Sequence, residues 1–594
     1  MACCWSLVCY VLLAGLVELH FHVVRGILRY IGRLVERYTA PVINVPRPNL
    51  TLASAKRAPE PLKPSLPDQP GVIQCFDKGL NVPLGTVKVV TPDQLAVIVG
   101  KARKAQVAWA ASSFSTRRKL LFSLLDYVVK HHKFICETSA VECGKTMVDG
   151  TFGEILTTLE KLTWTATHGE SVLADEYRSV GLITMHKHAV VRYVPFGVIG
   201  AIVSWNYPFH NIWGPMISAL FSGNAFVGKV SEFSSYYASY YESIVKEALR
   251  SLGYSPDLVT FATGFAETGS ALVSLVDKVT FIGSPGVGKL VMKRASETLT
   301  PVVLELGGKD PAIVCEDADL NQVVHVILRG TFQNCGQNCV GLERVVVHHS
   351  IHDKLVAMLK PYIENMTQGP TLDPNNPGTV CDLGAMTMGT ASVVKIQKLL
   401  DETVAAGAKL VVGGKATKAG FFPPTLITNV TSKMPIAVDE VFGPILVLMT
   451  FRTDDEAIAL VNDCPYGLGS SVFSNNVQRA KYIGQRLHTG MMNVNDFGIN
   501  YLCQSLPFGG CKISGFDRFA GIEGLRGNCI PRAETYDRIP GVKTAVPPAL
   551  QYPLKENSFD FSMLLARVLY GRLPQMLSAI VQLATFKPKP ARAA

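Results

Sequence analysis

The chain has 594 residues, 48% of them apolar and 18% charged, which is too long for one hydrophobic core and too apolar for a disordered chain. Fourteen scattered cysteines without metal-ligand spacing exclude a disulfide-stapled fold, point to a reducing compartment and leave no metal site expected. The net charge of +10 gathers largely on the two ends, which favours a membrane lipid surface over nucleic acid as partner.

Residues 1–17, MACCWSLVCYVLLAGLV, carry no charge, slightly short of the about 20 residues that span a bilayer. Arg25, Arg29, Arg33 and Arg37 follow at four-residue intervals. They face away from Ile27, Leu28, Ile31 and Leu34, as in a basic amphipathic helix at a membrane surface. Residues 1–38 are therefore read as an anchor with an interfacial helix. The basic flank places the body on the cytosolic side of an endomembrane. The competing reading is an organelle-import segment that is removed. Residues 39–71 hold eight prolines and read as an extended linker.

From about Gly71 helical and strand patterns alternate. Thr91–Ser112 and Ser115–Lys133 have helical periodicity, Val191–Val203 is rich in strand formers, and Val259–Phe261 and Lys278–Ile282 are short apolar strands. Alternation of this kind predicts α/β layers around parallel sheets. Val180–Val194 reads as a protruding β-hairpin that would reach a partner subunit in a homodimer or homotetramer. In the tail, residues 539–594, apolar positions from Phe559 to Leu583 have helical spacing broken by Pro574.

Several motifs stand in a fixed order. Ser204-Trp205-Asn206-Tyr207-Pro208 ends a strand. Gly228-Lys229-Val230-Ser231-Glu232 follows. Phe281-Ile282-Gly283-Ser284-Pro285-Gly286-Val287-Gly288 ends a strand in Gly283 and starts a helix near Gly288, where glycine and a helix N-terminus can meet a pyrophosphate. Glu305 lies in Leu304-Glu305-Leu306-Gly307-Gly308-Lys309, an apolar setting that raises a carboxyl pKa. Cys339 ends Cys335-Gly336-Gln337-Asn338-Cys339, and its thiol needs activation to serve as a nucleophile. Cys335, placed one helical turn from Cys339, reads as inert. Glu440-Val441-Phe442-Gly443-Pro444 and Pro507-Phe508-Gly509-Gly510 complete the series.

In this order, over about residues 72–535, the motifs resemble those of the aldehyde dehydrogenase superfamily. The runs SWNYPFHN, GFAETG, SPGVGK, CQSLPFGG and RFAGIEGL are most similar to the membrane-anchored plant family 22. The resemblance implies two Rossmann-like α/β domains plus a β-hairpin oligomerisation element. It implies a cofactor domain over 72–304, with the hairpin at about 180–194, and a catalytic domain over 305–490. Residues 491–538 would return to the cofactor domain. It further implies that Cys339 attacks an aldehyde, that Asn206 donates to the oxyanion and that Glu305 activates water. Trp205, Lys229, Glu232, Gly283, Ser284, Gly288, Glu440 and Phe442 would hold the cofactor. Glu232 favours NAD over NADP, because a carboxylate accepts a ribose diol and repels a 2′-phosphate. Val230 and Asp517 depart from the family pattern. Pro215, where many soluble members have Lys, points toward apolar or fatty aldehydes. The remaining alternatives are an NADP-linked or semialdehyde-type dehydrogenase, or a non-catalytic membrane scaffold.

Overall fold

The structure is a computed structural model that describes residues 31–50, 58, 61–66, 68–374, 376, 380–416 and 418–590. The apolar segment 1–17, with Arg25 and Arg29, lies outside these residues. Residues 31–38 are helical, and among the described residues no helix is long and apolar enough to cross a membrane. The proline-rich stretch expected as a free linker is partly docked. Ile43 and Val45 are buried and Tyr127 donates its hydroxyl to the Val45 carbonyl at 3.5 Å; in the helix before the stretch, Glu36 accepts two bonds from Arg118 at 2.5 and 2.8 Å. Proline extends the backbone, but the apolar side chains between prolines still find a surface to bury against.

The described residues form two compact units. One contains those up to Val172 together with Pro195–Cys529, the other Leu173–Val194 with the chain from Ile530 onward. In the first, a six-stranded sheet runs in the order Gly515–Phe516, Val302–Leu306, Lys278–Gly283, Val198–Ile202, Ala225–Lys229, Val259–Ala262. All pairs are parallel except Gly515–Phe516 on Val302–Leu306. A seven-stranded sheet has Asp310–Val314 and Leu342–His348 near its centre and is also parallel, apart from its Lys409–Val412 edge. Its Val-, Ile- and Leu-rich strands are buried on both faces, as parallel sheets require.

Several local expectations shift. The second helix runs over Phe114–Cys143 and stops only at Gly144 in the left-handed region (φ 77°). The strand-rich run splits at Phe196-Gly197 into Lys187–Pro195 and Val198–Ile202. The helix expected near Gly288 starts at Pro285 with Ser284 at its N-cap, a first-turn position where proline lacks nothing. Cys335 and Cys339 do not share a helix. Gln333–Gly336 is a tight turn with Asn334 and Cys335 at φ 54° and 56°.

In the second unit, Lys187–Pro195 is central between Cys529–Asp537 and Glu176–Arg178. The pairing Glu176↔Val191 to Arg178↔Ala189 starts the hairpin before the expected Val180. The tail forms helices Ser558–Tyr570 and Leu573–Ala584. The break falls at Gly571, and Pro574 occupies the first turn of the second helix rather than interrupting one.

Candidate active site

Glu305 sits near the end of the strand Val302–Leu306, opposite Gly515 on one side and Ile282 on the other. It is 2% exposed. Burial pushes its carboxyl up to about 7, and the neighbouring Cys339 thiol pulls it partly back. Cys339 lies in the loop ahead of the strand Leu342–His348 and is half-buried. Burial and the nearby carboxyls of Glu305, Asp310 and Glu440 push its thiol well above the usual range. A thiol held in this way is unreactive until a base takes its proton.

Asn206 follows the strand Val198–Ile202 and is 3% exposed. Its Oδ1 accepts from Ser204 Oγ at 2.7 Å and from Asn211 Nδ2 at 3.1 Å. These contacts turn Nδ2 toward the Cys339 loop, where it donates to the Gln337 carbonyl at 3.1 Å. An amide nitrogen carries two hydrogens, so one donor remains for an oxygen bound beside Cys339.

Two cavities meet at this point. One of about 850 Å³ is lined by Trp205, Asn206, Lys229, Glu232, Gly283, Ser284, Glu305, Cys339, Glu440 and Phe442, among others. The other, about 590 Å³, is walled by Val148, Phe152, Val326, Val340, Phe497, Leu502, Phe508 and Phe519, with polar residues such as His210, Arg329, Gln333 and Asp496 between them, and also reaches Glu305 and Cys339. The thiol therefore stands where two compartments join, accessible to a different molecule from each side.

The larger cavity suits a dinucleotide. Lys229 pairs with Glu232 at 2.9 Å, a cation and acceptor for a ribose diol. Ser284 caps a twelve-residue helix without spending its own side chain, leaving first-turn N–H groups for a phosphate. Trp205 and Phe442 stand edge to face, centroids 5.5 Å apart. Glu440 Oε1 accepts from Gly308 N at 3.0 Å, and a Cβ on Gly307 would lie 2.3 Å from that oxygen, so the turn after Glu305 needs glycine for this approach. Burial pushes Glu440 up to about 7. Gly288 is the exception among the expected cofactor residues. It lies outside this wall and faces Leu306, which an added Cβ would meet at 2.5 Å. Its lack of a side chain lets the helix pack on the strand.

The sequence did not single out a second layer of buried charge. Glu343 accepts from Lys309 Nζ at 2.7 Å and from the backbone N–H groups of Val441 and Phe442 at 2.8 and 2.9 Å. Lys145 pairs with Glu154 at 2.7 Å and donates to the Asn206 carbonyl at the same distance. His210 bridges Thr158 and the hydroxyl of Tyr501, beside the smaller cavity. Pro215 is buried in the helix Pro208–Phe221 and is not part of the wall of that cavity.

The family model described as the aldehyde dehydrogenase family matches residues 67–530. The chain belongs to the aldehyde dehydrogenase family. It is 39% identical over 521 residues to an aldehyde dehydrogenase-like protein of Schizosaccharomyces pombe, covering 86% of this chain and 98% of the relative. It is 32% identical over 445 residues to the 4,4'-diapolycopene aldehyde oxidase of Methylomonas sp, covering 74% of this chain and 81% of that one. Among solved structures, a betaine aldehyde dehydrogenase of Staphylococcus aureus in complex with NAD+ superimposes with a TM-score of 0.73 at 27% identity. The match spans 79% of this chain and 95% of the other. The α/β fold with parallel sheets is that of this family, and the chain is an oxidoreductase of aldehydes.

Proposed function

We propose that this aldehyde dehydrogenase uses NAD, and that its substrates are apolar aldehydes oxidised on Cys339. The thiol attacks the aldehyde carbon while its proton passes to Glu305, and Asn206 Nδ2 donates to the carbonyl oxygen as it gains charge. Trp205, Lys229, Glu232, Ser284, Glu440 and Phe442 would hold NAD, which would supply the hydride acceptor that oxidation to the thioester requires. Glu305 releases the thiol's proton to solvent, takes a proton from water as the water attacks the thioester carbon, and returns it to the leaving sulfur, which gives the acid and the thiol.

The substrate reading rests on the apolar part of the smaller cavity's wall, where Val, Leu and Phe side chains stand among polar residues that include His325, Arg329, Gln333 and Asp496. An alkyl chain gains about 0.8 kcal/mol for each CH₂ it buries in such a wall. The test is the specificity constant for straight-chain aldehydes of increasing length, run with NAD and NADP in parallel. Values that rise with length and are higher with NAD are expected. Highest turnover efficiency on the shortest aldehydes would sink the substrate reading. One observation favours NADP use as a second reading: Lys293 and Arg294 line the larger cavity with Glu232 and supply cations for a 2′-phosphate. Higher efficiency with NADP in the same experiment would select it.

We further infer that residues 72–304 and 491–538 form the cofactor side and 305–490 the catalytic side, and that the hairpin strand Lys187–Pro195 joins a homodimer or homotetramer. The uncharged segment 1–17 and the basic positions after it support kinship with the plant family 22, and attachment to an endomembrane with the body facing the cytosol. Fractionation of the full chain against one lacking residues 1–30 tests this. Recovery of both in the soluble fraction would overturn it.

A further inference from the structure

Lys145 and Glu154 form an ion pair whose side chains are both wholly shielded from solvent (0% exposed). Burying two opposite charges is costly, and an apolar pair of equal volume would serve packing alone at least as well. What this pair holds is therefore informative. Lys145 Nζ lies 2.7 Å from Glu154 Oε1 and 2.7 Å from the Asn206 carbonyl oxygen, and 4.1 Å from the centre of the Tyr207 ring. Glu154 Oε2 accepts the backbone N–H of His210 at 2.8 Å, and its Oε1 also accepts Ser139 Oγ at 2.6 Å. The pair thus grips both ends of the turn 206–210, which leads into the helix Pro208–Phe221. The Asn206 carbonyl has a second donor, Asn334 Nδ2 at 3.0 Å, and that same nitrogen donates to the Gln337 carbonyl. The backbone of the amide donor is in this way tied to the loop that carries Cys339.

We infer that Lys145 and Glu154 are positioning residues for the chemical step, which fix the Asn206 side chain in the oxyanion-binding position by clamping its backbone. This rests on the role given to Asn206 above. Neither residue lines either cavity, so their effect on substrate passes through Asn206. Displacement of a catalytic donor by about 1 Å costs on the order of 100-fold in rate. That loss should fall on acylation of Cys339, with little change in the KM for aldehyde or cofactor.

The experiment is a double-mutant cycle on the full chain, reading the pre-steady-state burst of reduced cofactor. Lys145→Met is made in the unaltered chain and in Asn206→Ala. The expected result is acylation slowed about 10- to 100-fold by Lys145→Met, both KM values within about twofold, and almost no further slowing when Asn206 is already Ala. Equal slowing in both backgrounds would overturn the clamp, as would an unslowed burst in folded Lys145→Met. If Lys145→Met alone does not fold, Lys145→Met/Glu154→Gln removes both charges and replaces it in the same cycle. Failure of this variant to fold as well would assign the pair to stability and overturn the inference. Asn206→Ala by itself reports on the underlying reading. A burst at full rate there removes the oxyanion role, whereas a slow burst with additive Lys145→Met removes only the clamp.

Discussion

Cys339 and Glu305 both stand where the two cavities meet, and each group shifts the titration of the other. Burial and the negative charge of Glu305 raise the thiol, while the neighbouring thiol lowers a carboxyl that burial has already pushed up to about 7. On the mechanism proposed above, attack on a carbonyl carbon moves the thiol's proton to Glu305, and hydrolysis needs that carboxylate free again.

Replacing Glu305 by Gln removes the base that both demands rely on. The amide keeps the volume but can take a proton from neither the thiol nor water. Thiol attack and thioester hydrolysis are each expected to fall by about 10²–10⁴-fold, read as a slowed burst of reduced cofactor and a slowed decay of a preformed acyl-enzyme. Steady turnover at the unaltered rate would remove Glu305 from the water-activating role.

The same pKa sets a pH profile. With a folded value of about 7, Glu305 is protonated and inactive as a base at pH 5–6. Deacylation should rise as pH increases through about 7 and level off above it. Stopped-flow decay of a preformed acyl-enzyme gives this curve without interference from the acylation step. A profile flat between pH 5 and 8 would contradict a buried, functional Glu305. The stability term has the opposite direction. A carboxyl whose folded pKa is raised stabilises the fold below the unfolded value near 4.5, and this contribution is lost as pH climbs through 7.

Glu343 restrains the segment Glu440–Phe442. Its two oxygens take the N–H groups of Val441 and Phe442, and Phe442 is held at φ 51°, a conformation that a bulky residue keeps only under restraint. Glu343→Ala should release the Glu440–Phe442 segment. We expect the KM for the cofactor to rise roughly 10-fold, with the rate of Cys339 alkylation in the absence of cofactor unchanged. An alkylation rate that falls in step with cofactor affinity would show that Glu343 supports the whole site instead.

The parts of this site that were legible in the sequence are those whose spacing is local. Glu305 before a Gly-Gly turn and Cys339 after Gly-Gln-Asn are readable because the turn and the loop are set by neighbours a few residues away. The alternating strands likewise declare themselves, since buried parallel strands are continuous apolar runs. Lys145, Glu154, Glu343 and Lys309 were not legible. A buried ion pair joins residues by tertiary approach, and a Lys nine positions before a Glu has the same appearance in sequence as a solvated surface pair. Lys309 stood inside the motif used for Glu305, yet nothing local says that its ammonium is buried against Glu343. Gly288 is ambiguous in sequence for a related reason. Glycine in the first turns of a helix can serve a phosphate or a close packing contact, and the approach of Leu306 appears only in the fold.

Lys161 offers a test of stability separate from catalysis. It lies in the helix Thr157–Val172, is 3% exposed, and donates to the Phe519 carbonyl at 3.1 Å. Burial alone lowers its pKa from 10.5 to about 7. The unfolded chain therefore binds more protons than the folded one between pH 7 and 10.5, and stability should rise with pH across that window. Below pH 7 both states carry the proton and the folded state bears the full cost of a buried cation. Lys161→Met keeps the length and apolar stem and removes the charge, at the loss of one hydrogen bond. It should stabilise the protein by roughly 2–4 kcal/mol at pH 7, shrinking toward zero as pH approaches 10.5. The neighbouring His210 does not confuse the result, because burial and the nearby lysines hold its pKa down to about 3 and it stays neutral over this range. Thermal midpoints of both chains at a series of pH values measure the difference. A gain that does not depend on pH would mean that Lys161 is solvated in the folded protein, whereas a loss at pH 7 would mean that its bond to Phe519 outweighs the burial of its charge.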